Sequence, residues 1–145
     1  MNLQANKSIA QKYVDALDRH DVDGAVALCA PDFVNHAAIP EAQGTDGLRR
    51  ILGKLLKAFP DHRISLDDVI AEGNQVVCRT TMRGTHTGPL EFVRWPTPAT
   101  GRSLTLKAIH IFRVEHDKIV EHWAEQDLAA LMRQLGATPR VEAHS

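Results

Sequence analysis

Eight histidines and two cysteines are the side chains of this chain with the widest chemical reach. His110 interrupts an apolar alternation and shares a strand face with Leu104, Leu106, Ala108, Phe112 and Val114. An imidazole in that position is either a core histidine satisfied by one partner or an acid/base group in a cavity, and the residues leave both open. On the next extended segment, Val120, His122, Ala124 and Gln126 share one face, and Ile119, Glu121, Trp123 and Glu125 share the other. If the two segments pair as a hairpin, His110 and His122 come to adjacent strands. Two imidazoles in apolar surroundings have depressed pKa values, which keeps at least one neutral and able to take a proton. The alternative for His122 is an exposed strand residue beside Trp123. Arg79 and Arg83 with Asp67 or Asp68 fit either an acid-arginine-acid hydrolase site of the epoxide-opening type or cross-strand ion pairs on an outer sheet face.

Other chemistries lack their residues. There is no HExxH, no histidine pair at i, i+4 and no His/Cys cluster, so no metal is expected. Cys29, in an apolar helical stretch, and Cys78, in a strand, stand far apart without metal spacing and read as two buried free thiols. Neither a GxSxG elbow, a GxGxxG turn nor a Walker loop occurs, so nucleophilic and nucleotide-dependent chemistry have no support and no cofactor is expected.

The elements that must position these side chains follow from hydrophobic period. Ile9, Tyr13, Ala16 and Leu17 recur at helical spacing between Asn6 and Asp18, and Asp23 is placed to cap a second short helix carrying Ala25, Val26, Leu28 and Cys29, stopped by Pro31. Asp32 to His36 is a short extended piece. Thr45 is placed to cap a third helix in which Leu48, Ile51, Leu52, Leu55, Leu56 and Phe59 form the strongest periodic stripe of the chain, ended by Pro60. From Arg63 the period changes to two, with Ile64, Leu66 and Asp68 alternating against Ser65, Asp67 and Val69. Gly73-Asn74 turns the chain into a second strand, which alternates Val76, Cys78, Thr80 and Met82 against Val77, Arg79, Thr81 and Arg83.

The segment from Gly88 to Gly101 holds three prolines with Phe92 and Trp95, is too apolar for an idle linker, and is expected to cover a cavity. Ser103 to Val114 and Lys118 to Gln126 form a second hairpin around Glu115-His116-Asp117. Asp127 then caps a last helix with Leu128, Leu131, Met132 and Leu135 inward and Gly136 as its C-cap. Helices first and antiparallel strands afterwards is the α+β pattern.

At 145 residues the chain has the length of one domain, expected over 1–145 with an ordered core of about 5–137 and a frayed tail. The formal net charge of -1, without a Lys/Arg block, argues against nucleic acid and anionic lipid as partners. No apolar run approaches membrane-spanning length and the first residues lack the regions of a secretory signal, so no membrane association and a cytoplasmic location are expected.

The run His110-Ile111-Phe112-Arg113-Val114, through Lys118-Ile119-Val120-Glu121-His122 to Arg133-Gln134-Leu135-Gly136, resembles the C-terminal half of SnoaL-like polyketide cyclases, of the NTF2-like superfamily. Pro31-Asp32-Phe33-Val34-Asn35, Gly84-Thr85-His86-Thr87-Gly88 and the proline-rich loop ending Gly101-Arg102 stand in the same order, so the likeness spans nearly the whole chain. The resemblance implies a cone-shaped, strongly curved antiparallel sheet closed by the N-terminal helices around a pocket. It implies cofactor-free aldol-type chemistry on a small hydrophobic carbonyl compound. In those cyclases an aspartate two residues beyond the last-strand histidine is the acid/base. That histidine is His122 here, and the aspartate's place is taken by Ala124.

The resemblance also puts a pocket histidine at His110, which makes His110 and His122 the catalytic candidates. Tyr13, Asn35, His36, His86, Trp95 and Gln126 are the candidate ligand contacts, each with an ordinary structural or solvated alternative. Non-catalytic binding of a small apolar molecule is the rival function, favoured by Ala124, with an epoxide-hydrolase-like enzyme as a further alternative. A homodimer through the outer sheet face, where Ile119 and Trp123 would otherwise be exposed, is the expected assembly.

Overall fold

The computed structural model describes residues 2–37, 43–91 and 97–136. Helices α1 (Leu3–Asp18) and α2 (Val22–Ala27) lead into strand β1 (Cys29–Asn35), followed by helix α3 (Gly44–Ala58). Strands β2 (Arg63–Glu72), β3 (Gln75–Thr85), β4 (Ser103–Glu115) and β5 (Lys118–Gln126) and helix α4 (Leu128–Leu135) complete the order. One open, mixed sheet runs β1-β5-β4-β3-β2. The four later strands pair antiparallel, and β1 lies parallel to β5 at the edge. The α+β expectation therefore holds, with a mixed and unclosed sheet in place of a purely antiparallel one.

Local chemistry shifts several boundaries. Asn2 caps α1, accepting from the Ala5 amide, so that helix begins before Asn6. Asp21, not Asp23, caps α2, because its carboxylate reaches the Gly24 amide at 2.9 Å while Asp23 already lies in the first turn. Helix α2 ends before Cys29, which begins β1 and is buried. Pro31 is tolerated in that strand because an edge strand need not donate at every residue. Thr45 does not cap α3. Its N-cap is Gln43, whose side chain pairs with the Asn35 backbone at 2.8 Å in both directions and ties the start of α3 to the end of β1.

Two irregularities reverse the expected strand parity. A register shift between Leu66 and Asp68 in β2 turns Val69 and Ala71 toward the helices and leaves Ile70 outside, 58% exposed. Another, opposite Arg113 and Val114, inserts Val120 as an extra residue, so Ile119 and His122 both face inward and Ile119 is fully buried. The expectation that Ile119 lies on the outer face is corrected on that ground.

The inner face carries two apolar clusters. The larger joins α1, α2 and α3 to the sheet through Ile9, Tyr13, Leu48, Leu52, Phe112 and Ile119. The smaller gathers Phe59, Met82, Leu90 and Leu104 with Leu131 and Leu135 of α4. Leu128, expected inward, is 42% exposed because it lies in the first turn of α4, ahead of the buried Leu131, Met132 and Leu135. Gly88 is needed where the loop passes α3, since a Cβ there would stand 2.1 Å from the Lys57 carbonyl oxygen.

Helix α4 is capped as its sequence predicts, with Asp127 accepting from the Ala130 amide at 3.0 Å and Gly136 left-handed at φ 71°. Asp127→Ala is expected to cost about 1 kcal/mol in a urea titration, through loss of that cap, with little change in the denaturant slope.

Candidate active site

The β4–β5 hairpin is closed by His116 and Asp117, both at positive φ, which matches the twist of the paired strands. That turn and the Val120 irregularity set the register: Phe112 opposite His122, and His110 opposite Ala124. Both imidazoles thus point to the helix-covered face from neighbouring strands, diagonally placed. His110 Nδ1 stands 2.9 Å from His122 Nε2, and His110 Nε2 stands 3.2 Å from Thr80 Oγ1 on β3. A polar row, Thr80–His110–His122, therefore crosses three strands.

Apolar groups enclose this row. The rings of His122 and Phe112 stack at 4.7 Å, those of His110 and His122 at 5.2 Å, and Tyr13 of α1 meets Phe112 edge-on at 5.4 Å. His122 is 8% exposed, Thr80 2% and Phe112 1%. Burial pushes the His110 pKa down to about 4. Burial first, then the charges of His110 and His36, push that of His122 down to about 3. At neutral pH both rings are uncharged, so each carries one N–H and one lone pair. Burial, followed by the neighbouring Cys29, raises the Tyr13 hydroxyl pKa, and it stays protonated.

The other sequence candidates divide around this row. Asn35 is buried and pairs in register with His122, its Oδ1 accepting from the Ala37 amide. Gln126 lies at the exposed end of β5, opposite Ala108. His36 points the other way. Its ring stacks on Trp123 at 4.9 Å and its Nε2 lies 2.7 Å from Glu121, on the outer side of the sheet. His36 and then Arg113 hold the Glu121 carboxyl below the usual carboxylate range.

His86 is fully buried against Phe59 in the second cluster, its Nδ1 at 3.0 Å from Thr100 Oγ1 and its Nε2 without a partner. It anchors the end of the loop, its backbone bonded to Gly101 and Arg102, and does not join the row. Trp95 and Phe92 lie outside the described residues, as does the C-terminal tail. Arg79, Arg83, Asp67 and Asp68 are all exposed, with Asp68 opposite Arg79 in register, and form no interior acid-arginine-acid set. Among the described residues no three His, Cys, Asp or Glu side chains converge as metal ligands. No described helix is long and apolar enough to cross a membrane.

Thr80 is the member of the row that sequence reasoning missed. Its signal was present: on the inner face of β3 it is the one hydroxyl among Val76, Cys78 and Met82.

An open mixed sheet with its inner face under N-terminal helices is the architecture of the NTF2-like class of α+β proteins. Within that class the chain belongs to the SnoaL-like polyketide cyclase family, whose model matches residues 7–135. It is similar to the aklanonic acid methyl ester cyclase DauD of Streptomyces sp. (strain C5), 26% identical over 133 residues that cover 88% of this chain and 80% of the relative. The cyclase DnrD of Streptomyces peucetius is likewise 26% identical, covering 88% of each chain. Among solved structures, TsrD from Streptomyces laurentii superposes with a TM-score of 0.81 at 27% identity, over 95% of this chain and 99% of that one.

Proposed function

We propose that this protein is a cofactor-free acid/base enzyme that acts on a small hydrophobic carbonyl compound by aldol-type or related proton-transfer chemistry. The observation that carries the reading is the His110–His122 hydrogen bond of 2.9 Å in an apolar interior, between rings held neutral by burial. A neutral imidazole takes a proton from the carbon beside a carbonyl. The carbanion, delocalised as an enolate, attacks a second carbonyl carbon, and the opened carbonyl oxygen takes the proton back from the imidazolium. Atoms and charge balance without an oxidant or reductant. Ala124 opposite His110 supplies no carboxylate, so the imidazole pair does the work that an aspartate would do two residues beyond His122. The cyclase names of the relatives support the substrate class.

The test is native mass spectrometry of the purified protein with a panel of aromatic polyketides and other apolar ketones, followed by analysis of the released molecule. A product isomeric with its substrate is expected. A ligand bound and recovered unchanged would replace this reading with that of a carrier.

A second copy of the chain fits the outer sheet face. Ile70, Val77, Ile111 and Trp123 face one another in register across β2, β3, β4 and β5, and Ile109 beside them is 51% exposed. Such a continuous apolar stripe favours association. Light scattering at micromolar concentration is expected to give twice the chain mass, and Ile109→Lys to give a monomer; a monomeric unmutated protein would contradict the dimer.

A further inference from the structure

The heavy atoms of the Thr80–His110–His122 row admit two neutral proton arrangements, because a threonine hydroxyl can donate or accept and each ring carries a single proton. In one, Thr80 donates to His110 Nε2 and His110 Nδ1–H donates to His122 Nε2, which leaves the His122 proton on Nδ1. In the other, His122 Nε2–H donates to His110 Nδ1 and His110 Nε2–H donates to Thr80 Oγ1, which leaves His122 Nδ1 with a bare lone pair. The proton count is the same in both.

Among the described residues His122 Nδ1 makes no hydrogen bond, and it is not one of the fully enclosed, unpartnered atoms. It is therefore the free end of the row, and the two arrangements present it either as a donor or as an acceptor. Buried Nε2 of His86, by contrast, is enclosed without a partner and has no such freedom.

We propose that Thr80 is a positioning residue whose hydroxyl, a donor to His110 Nε2 in one state and an acceptor from it in the other, keeps both tautomers of the row within reach, so that one atom, His122 Nδ1, is available either to take a proton from the bound carbonyl compound or to donate a hydrogen bond to it. The proposal rests on the acid/base reading above and adds to it the residue that sets the tautomer. It gives a reason for a threonine on an otherwise apolar strand face. A hydroxyl that both donates and accepts makes the two states close in energy. An aliphatic side chain leaves His110 Nε2 facing hydrocarbon in either state, where an unpaired N–H and an unpaired lone pair differ in desolvation cost and one tautomer wins.

The test is the side-chain 15N spectrum of histidine-labelled, ligand-free protein at pH 7.5, together with Thr80→Val and Thr80→Ser. In the unmutated protein the ring nitrogens of His110 and His122 are expected at averaged positions between the protonated and bare limits. Thr80→Val should move them toward one fixed tautomer, and Thr80→Ser should keep the averaging. Nitrogens at their limits in the unmutated protein would overturn the proposal.

Because no substrate is needed, that failure is distinct from failure of the enzyme reading, which is decided by product analysis. Once a substrate is in hand, Thr80→Val is expected to lower kcat roughly ten-fold or more with little change in KM, and Thr80→Ser to restore most of it. A loss confined to KM would point to a merely structural hydroxyl and overturn the assignment.

Discussion

Stability against urea is expected to fall steeply between pH 6.5 and pH 4, before most carboxylates titrate. Four imidazoles of the interior have folded pKa values pushed below the ordinary 6.5, to about 4 for His62 and His110, to about 3 for His122 and downward for His86, with burial the first cause in each. The unfolded chain therefore binds protons that the folded one refuses. The stability these groups contribute is complete above pH 6.5 and is lost as the pH drops toward the folded values. At about 1.4 kcal/mol per pKa unit the combined loss is several kcal/mol, a large part of the margin of an ordinary domain.

Asp18, Asp61, Asp67 and Glu121 are held below the ordinary carboxylate range by their hydrogen-bond partners, so their contribution is lost only below about pH 4.5. The measurement is the urea midpoint at pH 7.5, 6, 5 and 4.5. The double variant His110→Leu with His122→Phe should flatten the upper part of that curve, and an unchanged slope would show that the pair is not the acid-sensitive element.

On a confirmed substrate, His122→Ala is expected to lower kcat by about 10²- to 10⁴-fold, the range a positioned general acid/base contributes. His110→Ala should fall in the same range, and the double variant should lose little more, because the two rings act as one unit. His116→Asn makes a suitable control, since His116 lies in the exposed hairpin turn and asparagine tolerates its positive φ of 50°. Near-normal kcat in His122→Ala would remove the acid/base assignment. Truncating a ring that stacks on Phe112 also loosens packing, so His122→Gln, which keeps more of the volume and a polar end, should be measured beside it.

Much of this architecture was legible along the chain. The leucine stripe of α3, the Gly73-Asn74 turn and the Asp127 and Gly136 caps are local features: side-chain period and backbone preference act over a few residues. The family resemblance also reached the fold and pointed to His110 and His122. The errors share a cause. Ile119 and Val69 were assigned by strict alternation, and one extra residue in a strand reverses every side chain beyond it, which no local pattern announces. His36 looked like a rim residue, but β1 beside β5 turns it outward onto Trp123.

Composition and period thus determined the elements and their order, and the strand faces only as far as the two irregularities in β2 and β5, because these depend on neighbours in sequence. Only the tertiary structure decided that Thr80, His110 and His122 form one row. Their partners lie 30 and 12 residues apart along the chain. They meet through the pairing of three strands and the position of a single inserted residue, a matter of register that hydrogen bonding and core packing set together.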